Sequence, residues 1–208
     1  MIRVGPAGWS YADWEGRVWP RAKGRGFHAL RHLARFVDCI EINSSFYALP
    51  KLAHAARWVE LVAGHPDFRF TAKLHRDLTH GRDPTAWRAQ DSWRDHDAGR
   101  DHDAGRDQSE GSGEAELASL AQAYRAWIEP LQSSGQLAAL LAQFPYSFRN
   151  ADASWRRLEW LARELSGLPL VLELRHGSWF GPDALTRIER LGWSLAEIDL
   201  PPATGART

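Results

Sequence analysis

Short apolar runs separated by helix-spaced stretches constrain this chain most. The runs are Ile2 to Ala7, Cys39 to Asn43, Phe68 to Leu74, Leu137 to Phe144, Leu170 to Arg175 and Leu195 to Asp199. Between them, Phe27, Leu30, Ala34 and Val37 recur at helical spacing, as do Leu52, Ala55, Ala56 and Val59. Leu117, Leu120, Ala121, Tyr124 and Ile128 form a third stripe, and Trp155, Leu158, Ala162 and Leu165 a fourth. A fifth helix is predicted from Pro182 to Leu191, with Gly192 at its end. Six strands alternating with five helices predict an α/β fold, its parallel strands covered by helices.

Residue parity within the strands chooses between an open doubly wound sheet and a barrel. Ile40 and Ile42 oppose Cys39, Glu41 and Asn43; Leu170, Leu172 and Leu174 oppose Val171, Glu173 and Arg175; Ala196 and Ile198 oppose Leu195, Glu197 and Asp199. Polar residues keep one parity and gather toward the C-terminal strand ends, with Lys73 and Gln143 fitting the same rule. Helices on both faces of an open sheet call for two apolar faces, whereas the C-terminal mouth of a barrel tolerates polar groups. The expectation is a TIM-type (β/α) barrel.

At 208 residues and 44% hydrophobic content, one domain of the larger α/β kind is expected. Basic and acidic residues balance at 26 each, so no overall positive field recommends duplex nucleic acid, and no polybasic run addresses a membrane. Cys39 is the single cysteine, which excludes an intrachain disulfide framework and fits a reducing compartment. No leader-like or membrane-spanning run stands out, so a soluble, cytoplasmic protein is expected. Eleven tryptophans are more than packing alone normally requires and hint at a site with flat apolar walls.

One stretch, about residues 91–114, breaks the pattern. It repeats Arg-Asp-His-Asp-Ala-Gly in tandem at 94 to 99 and 100 to 105, then runs into Ser, Gly and Glu. Such polar, glycine-containing sequence cannot bury enough apolar surface to offset its ordering entropy, so a disordered insertion is expected. A metal reading through His96 and His102 lacks calcium-loop or zinc-ligand spacing.

A series of motifs then carries a resemblance. Gly8-Trp9-Ser10-Tyr11 comes with Trp14, Gly16 and Pro20, and Glu41-Ile42-Asn43-Ser44-Ser45-Phe46-Tyr47 with Pro50. Lys73 precedes Thr79-His80, Gln143-Phe144-Pro145 follows, and Glu173-Leu174-Arg175-His176 with Ser178-Trp179 leads on to Asp199. In this order the set resembles the YecE-like family, domain of unknown function seventy-two. The resemblance implies a TIM-type barrel with a pocket at its C-terminal mouth and brings no established reaction. The family's pattern continues beyond Asp199 and Pro201 into a seventh and an eighth strand, whereas this sequence ends at Thr208. The expectation is therefore a partial barrel of six strands, with edges open to self-association or an inactive remnant as alternatives.

Strand parity brings Glu41, Asn43, Lys73, Gln143, Glu173, Arg175 and Asp199 to one opening. Glu173 is the candidate general acid or base, with Glu41 or Asp199 as second carboxylate. Lys73 and Arg175 suit an anionic group or developing negative charge, and Asn43 and Gln143 suit substrate orientation. His176 and His80 are secondary candidates. Trp9, Tyr11, Trp14, Phe46, Tyr47 and Trp179 either wall the pocket or pack as a satellite core, with Tyr11, Tyr47 and Trp179 the polar-tipped contacts. A metal set of Glu41, Glu173, Asp199 and His176 is the rival, opposed by the two cations, and no Walker or dinucleotide glycine pattern calls for a nucleotide cofactor. The expected function is metal-free, cofactor-free acid/base chemistry on a small polar, anionic or sugar-like substrate. The alternatives are a ligand-binding protein in which Glu173 transfers no proton, and structural ion pairing among the charged groups.

Overall fold

The computed structural model describes residues 1–81 and 110–198. Five strands, β1 (Cys39–Ile42), β2 (Arg69–Lys73), β3 (Leu137–Gln143), β4 (Leu170–Glu173) and β5 (Ser194–Leu195), form one parallel sheet in sequential order. Helices α1 (Ala29–Leu33), α2 (Ser44–Tyr47), α3 (Leu52–Leu61), α4 (Arg76–Thr79), α5 (Glu110–Ser133), α6 (Asp152–Glu164) and α7 (Pro182–Arg190) connect them. The architecture is α/β, and the described sheet is not closed.

Alternation along each strand sorts the two faces. Ile40, Ile42, Phe70, Ala72, Leu140, Ala142, Leu170 and Leu172 are buried in one core with Trp58, Leu61, Tyr124, Trp127, Ile128, Leu158 and Leu161 from the helices. The register aligns Glu41 with Thr71, Lys73 with Leu141, Leu141 with Val171, and Gln143 with Glu173 on the opposite face. That face is half-buried except for Glu173, which is buried. Its polar groups lie at the C-terminal strand ends.

Three sequence expectations are corrected. The strand expected at Ile2 to Ala7 makes only a bridge beside β1 at Ala7 and Glu41. Its backbone contacts are Asp38 N–H to the Val4 carbonyl (2.9 Å), Glu41 N–H to the Pro6 carbonyl (3.1 Å) and Gly8 N–H to the Glu41 carbonyl (2.9 Å). Pro6 has no N–H to continue the ladder, and a Cβ at Gly5 would collide with the Cys39 carbonyl. The described sheet thus has five strands rather than six. The 110–114 part of the expected insertion is helical, the first residues of α5. The rest of that insertion, with His96 and His102, lies outside the described residues, as does Asp199.

The helix expected over Phe27 to Val37 shortens to one turn and a half, and two single-turn helices, α2 and α4, follow β1 and β2. Four residues are too few for any periodic signal. His28 caps α1 and His75 caps α4, each through Nδ1 accepting a backbone N–H two residues on (3.2 Å from Leu30, 3.3 Å from Asp77). Arg157 on α6 secures the far end of α4. Its guanidinium donates to the Asp77 carbonyl (2.7 Å) and the Leu78 carbonyl (3.1 Å), and lies 5.1 Å from the Trp160 ring centroid. No helix among the described residues is long and apolar enough to cross a membrane.

Candidate functional site

At the end of β4 a carboxylate is clamped. Glu173 Oε1 accepts from Gln143 Nε2 on the neighbouring strand and from Arg175 Nε (3.1 Å), with Arg175 Nη2 at 3.0 Å. An amide and a guanidinium thus converge on one carboxylate oxygen, the guanidinium through two nitrogens within 3.1 Å. The Glu173 side chain is 10% exposed and that of Arg175 30%. In such surroundings removal of one partner costs more than the intact pair contributes. Sequence parity had placed these three residues together, and they touch.

At the end of β2 the tie is different, because the backbone of Lys73 is fixed and its ammonium is not. The Lys73 carbonyl accepts from the Tyr124 hydroxyl of α5 (2.7 Å) and lies 2.7 Å from the Ser45 hydroxyl of α2. Ser45 Oγ also lies 2.9 Å from the Ile42 carbonyl, so both side chains, fully buried, join the ends of β1 and β2 to α5. Burial raises the Tyr124 hydroxyl well above its ordinary pKa, opposed by the hydrogen bond with Ser45. Lys73 Nζ sits 5.8 Å from the Phe46 ring centroid, a cation–π contact worth about 0.5–1 kcal/mol at a partly exposed site. Among the described residues it makes no ion pair.

Asn43 stands directly after β1, and its Oδ1 is buried without a hydrogen-bond partner among the described residues. A buried acceptor left in this way costs about 1–3 kcal/mol, so the position calls for a donor or a rotated amide. Glu41 shares the sheet face of Lys73, one strand away.

The rim beyond these residues is histidine-rich. His176 Nδ1 accepts the Ser178 N–H (3.1 Å) and lies 2.9 Å from Ser178 Oγ, so the neutral ring carries its proton on Nε2. Its ring is 4.9 Å from Tyr146, whose side chain is exposed. His80 lies edge-on to Phe46 at 5.1 Å and 2.8 Å from Thr79 Oγ1. His75 bonds the Tyr47 backbone as well as capping α4, and burial lowers its pKa, with Asp77 raising it and Arg76 lowering it.

The aromatic candidates divide. Tyr47 is half exposed, and its ring meets Phe46 at 5.1 Å. Trp9 packs edge-on against Trp58 (5.1 Å), and Tyr11, whose hydroxyl bonds the Ala7 carbonyl, leans on Trp14 (4.8 Å). Trp179 is fully buried, stacks on Phe148 (5.3 Å) and donates its N–H to the Phe148 carbonyl (2.6 Å). Its polar edge is therefore committed to the protein. Asp199 lies outside the described residues, so its place beside the carboxylates is not part of this geometry. Among the described residues no three metal-ligating side chains cluster.

Sequence reasoning passed over Ser45, His75, Tyr124 and Tyr146. Tyr124 was legible only as a stripe residue, although a tyrosine in an aliphatic stripe needs a partner for its hydroxyl.

Comparison with known proteins covers nearly the whole chain. The model of the family described as "Protein of unknown function DUF72" matches residues 3–207. The UPF0759 protein YunF of Bacillus subtilis is 23% identical over 97% of this chain and 61% of its own length. The UPF0759 protein YecE of Escherichia coli K12 is 35% identical over 80 residues, 38% of this chain and 26% of its own. The chain thus spans about three-fifths of YunF. Two solved DUF72 structures share the fold. That from Thermotoga maritima has a TM-score of 0.66 at 23% identity, covering 99% of this chain and 67% of the other. That from Enterococcus faecalis has 0.64 at 20%, covering 94% and 60%. On this ground the chain belongs to the DUF72 family, the group of the UPF0759 YecE and YunF proteins.

Proposed function

We propose that the sheet is an arc of a TIM-type barrel and that its C-terminal strand ends bind a small, polar, anionic or sugar-like compound for metal-free acid/base chemistry. The sequential parallel strand order and the fold shared with the two DUF72 structures support the arc. The observation that carries the site is the contrast between its charges. Glu173 is buried and satisfied within the protein, while Lys73 presents an ammonium without a counter-ion on the same sheet face. In this reading Lys73 holds the anionic group, Glu173 accepts a proton or a substrate hydroxyl through its remaining acceptor capacity, and Tyr47 and His80 border the ligand.

Saturation-transfer NMR with a panel of sugar acids and sugar phosphates tests the binding half. Lys73→Met is expected to weaken the best binder at least tenfold, a loss of about 1.4 kcal/mol. Equal binding by wild type and variant removes the assignment. For the chemical half, deuterium exchange into the bound ligand should fall by about 10²–10⁴ in Glu173→Gln with binding retained.

The clamp itself supports a second reading. Oε1 of Glu173 is saturated by Gln143 and Arg175, as a structural pair linking β3 to β4 would be. A binding protein without chemistry then remains, and unchanged exchange in Glu173→Gln selects it.

A further inference from the structure

Resting on the site proposed above, we propose that Lys73 acts as an amine nucleophile that captures a small carbonyl compound as an iminium. The first observation is compositional. Of the 26 basic residues only Lys23, Lys51 and Lys73 are lysines. A chain that uses arginine almost everywhere for positive charge carries, at a strand end facing the proposed mouth, a side chain of the kind that can form a carbon–nitrogen bond. The other two lysines have ordinary surface settings. Lys23 pairs with Glu15, with its side chain 43% exposed, and Lys51 is exposed at the start of α3.

The second observation is geometric. The Lys73 backbone carbonyl is gripped by the buried Tyr124 and Ser45 hydroxyls, which fixes the residue from which the side chain springs. The ammonium is half-buried against the Phe46 ring and meets no carboxylate among the described residues, although Glu41 and Glu173 share its face. A residue held only to complete an internal ion pair would not be placed this way. A residue held to meet a ligand's carbonyl would.

The step balances without a co-reactant. The amine nitrogen adds to the carbonyl carbon to give a carbinolamine, and loss of its hydroxyl with a proton as water leaves the protonated iminium. Ammonium plus carbonyl therefore becomes iminium plus water, with the single positive charge retained.

The test uses glycolaldehyde with sodium cyanoborohydride, which delivers hydride to the iminium carbon and locks a secondary amine, followed by peptide mapping by mass spectrometry. With only three lysines the map is unambiguous. Expected is at least a tenfold preference for Lys73 over Lys51 and Lys23, abolished by Lys73→Arg, which keeps the charge and removes the amine. Glyceraldehyde and pyruvate serve as second probes. Equal modification of all three lysines with every probe overturns the nucleophile. Failure of this inference is separable from failure of the site. If the anion panel still binds wild type and Lys73→Arg alike but not Lys73→Met, the anion site stands while the covalent role falls. Unchanged melting of Lys73→Arg guards against a folding defect.

Discussion

The ends of β2 and β4 hold opposite charges by opposite means. At β4 the Glu173 head group is tied by Gln143 and Arg175, and little of it faces solvent. At β2 the Lys73 main chain is tied by two buried hydroxyls and the head group is left to the Phe46 ring. The difference teaches that charge at a strand end has two uses. In the proposed reading, the satisfied buried charge also ties β3 to β4, and the half-buried ammonium without an ion pair among the described residues is the one placed for a ligand. Removing the first acceptor should therefore destabilise the protein, and substitutions at the second should leave its stability nearly unchanged.

The largest effect is expected from Glu173→Ala, which removes the oxygen that Arg175 and Gln143 share and should cost about 3 kcal/mol in urea unfolding, the low end for a broken buried pair since Arg175 reaches solvent. A cost below about 0.5 kcal/mol, the scale of ordinary surface changes, would make the clamp incidental. Arg157→Ala comes next. It removes two charge-assisted bonds to the end of α4 and a stacking contact, and a loss of about 2 kcal/mol is expected, with faster amide exchange across Arg76–Thr79. Tyr124→Phe deletes only a hydroxyl, so about 1 kcal/mol is expected. Its sharper signature is greater disorder of the Lys73 side chain by NMR relaxation.

A pH effect follows in size. His28 and His75 both have lowered pKa values, for His28 through burial first and then Arg57 and Arg31, for His75 through burial first against the opposing pull of Asp77. Each must be neutral to cap its helix. The folded pKa lies below the ordinary 6.5, so the unfolded chain binds the proton more readily. The stabilisation is complete above pH 6.5 and is lost as pH falls through the folded values. A double His28→Asn, His75→Asn variant keeps cap acceptors that do not titrate and should flatten this part of the stability profile. An identical slope in the variant would assign the pH dependence to other groups. The smallest expected effect is Lys73→Met, within about 0.5 kcal/mol of wild type, because no ion pair is lost.

The strands and the face these charges share were legible in the sequence; the contrast between the two charges was not. Alternation in Cys39 to Asn43, Phe68 to Leu74, Leu137 to Phe144 and Leu170 to Arg175 located β1 to β4 within a few residues, because parity of buried and polar side chains is a local property. The same parity put Glu41, Lys73, Gln143 and Glu173 on one face. The strand at Ile2 to Ala7 was misread because apolar composition outweighed the Gly5-Pro6 pair that breaks its ladder. Trp179 was read for its indole N–H, but whether that group meets a ligand or a carbonyl depends on Phe148, 31 positions away. Long-range partners of this kind, the Tyr124 hydroxyl on Lys73 among them, leave no periodic trace.

The most direct test of the central claim is a crystal structure of the protein soaked with the strongest binder from the sugar acid and sugar phosphate panel. The account predicts density on the face opposite the helices, with the ligand's anionic group within hydrogen-bond reach of Lys73 Nζ and the Glu173 clamp intact. Density elsewhere, with the space before Lys73 filled by protein side chains, would contradict it.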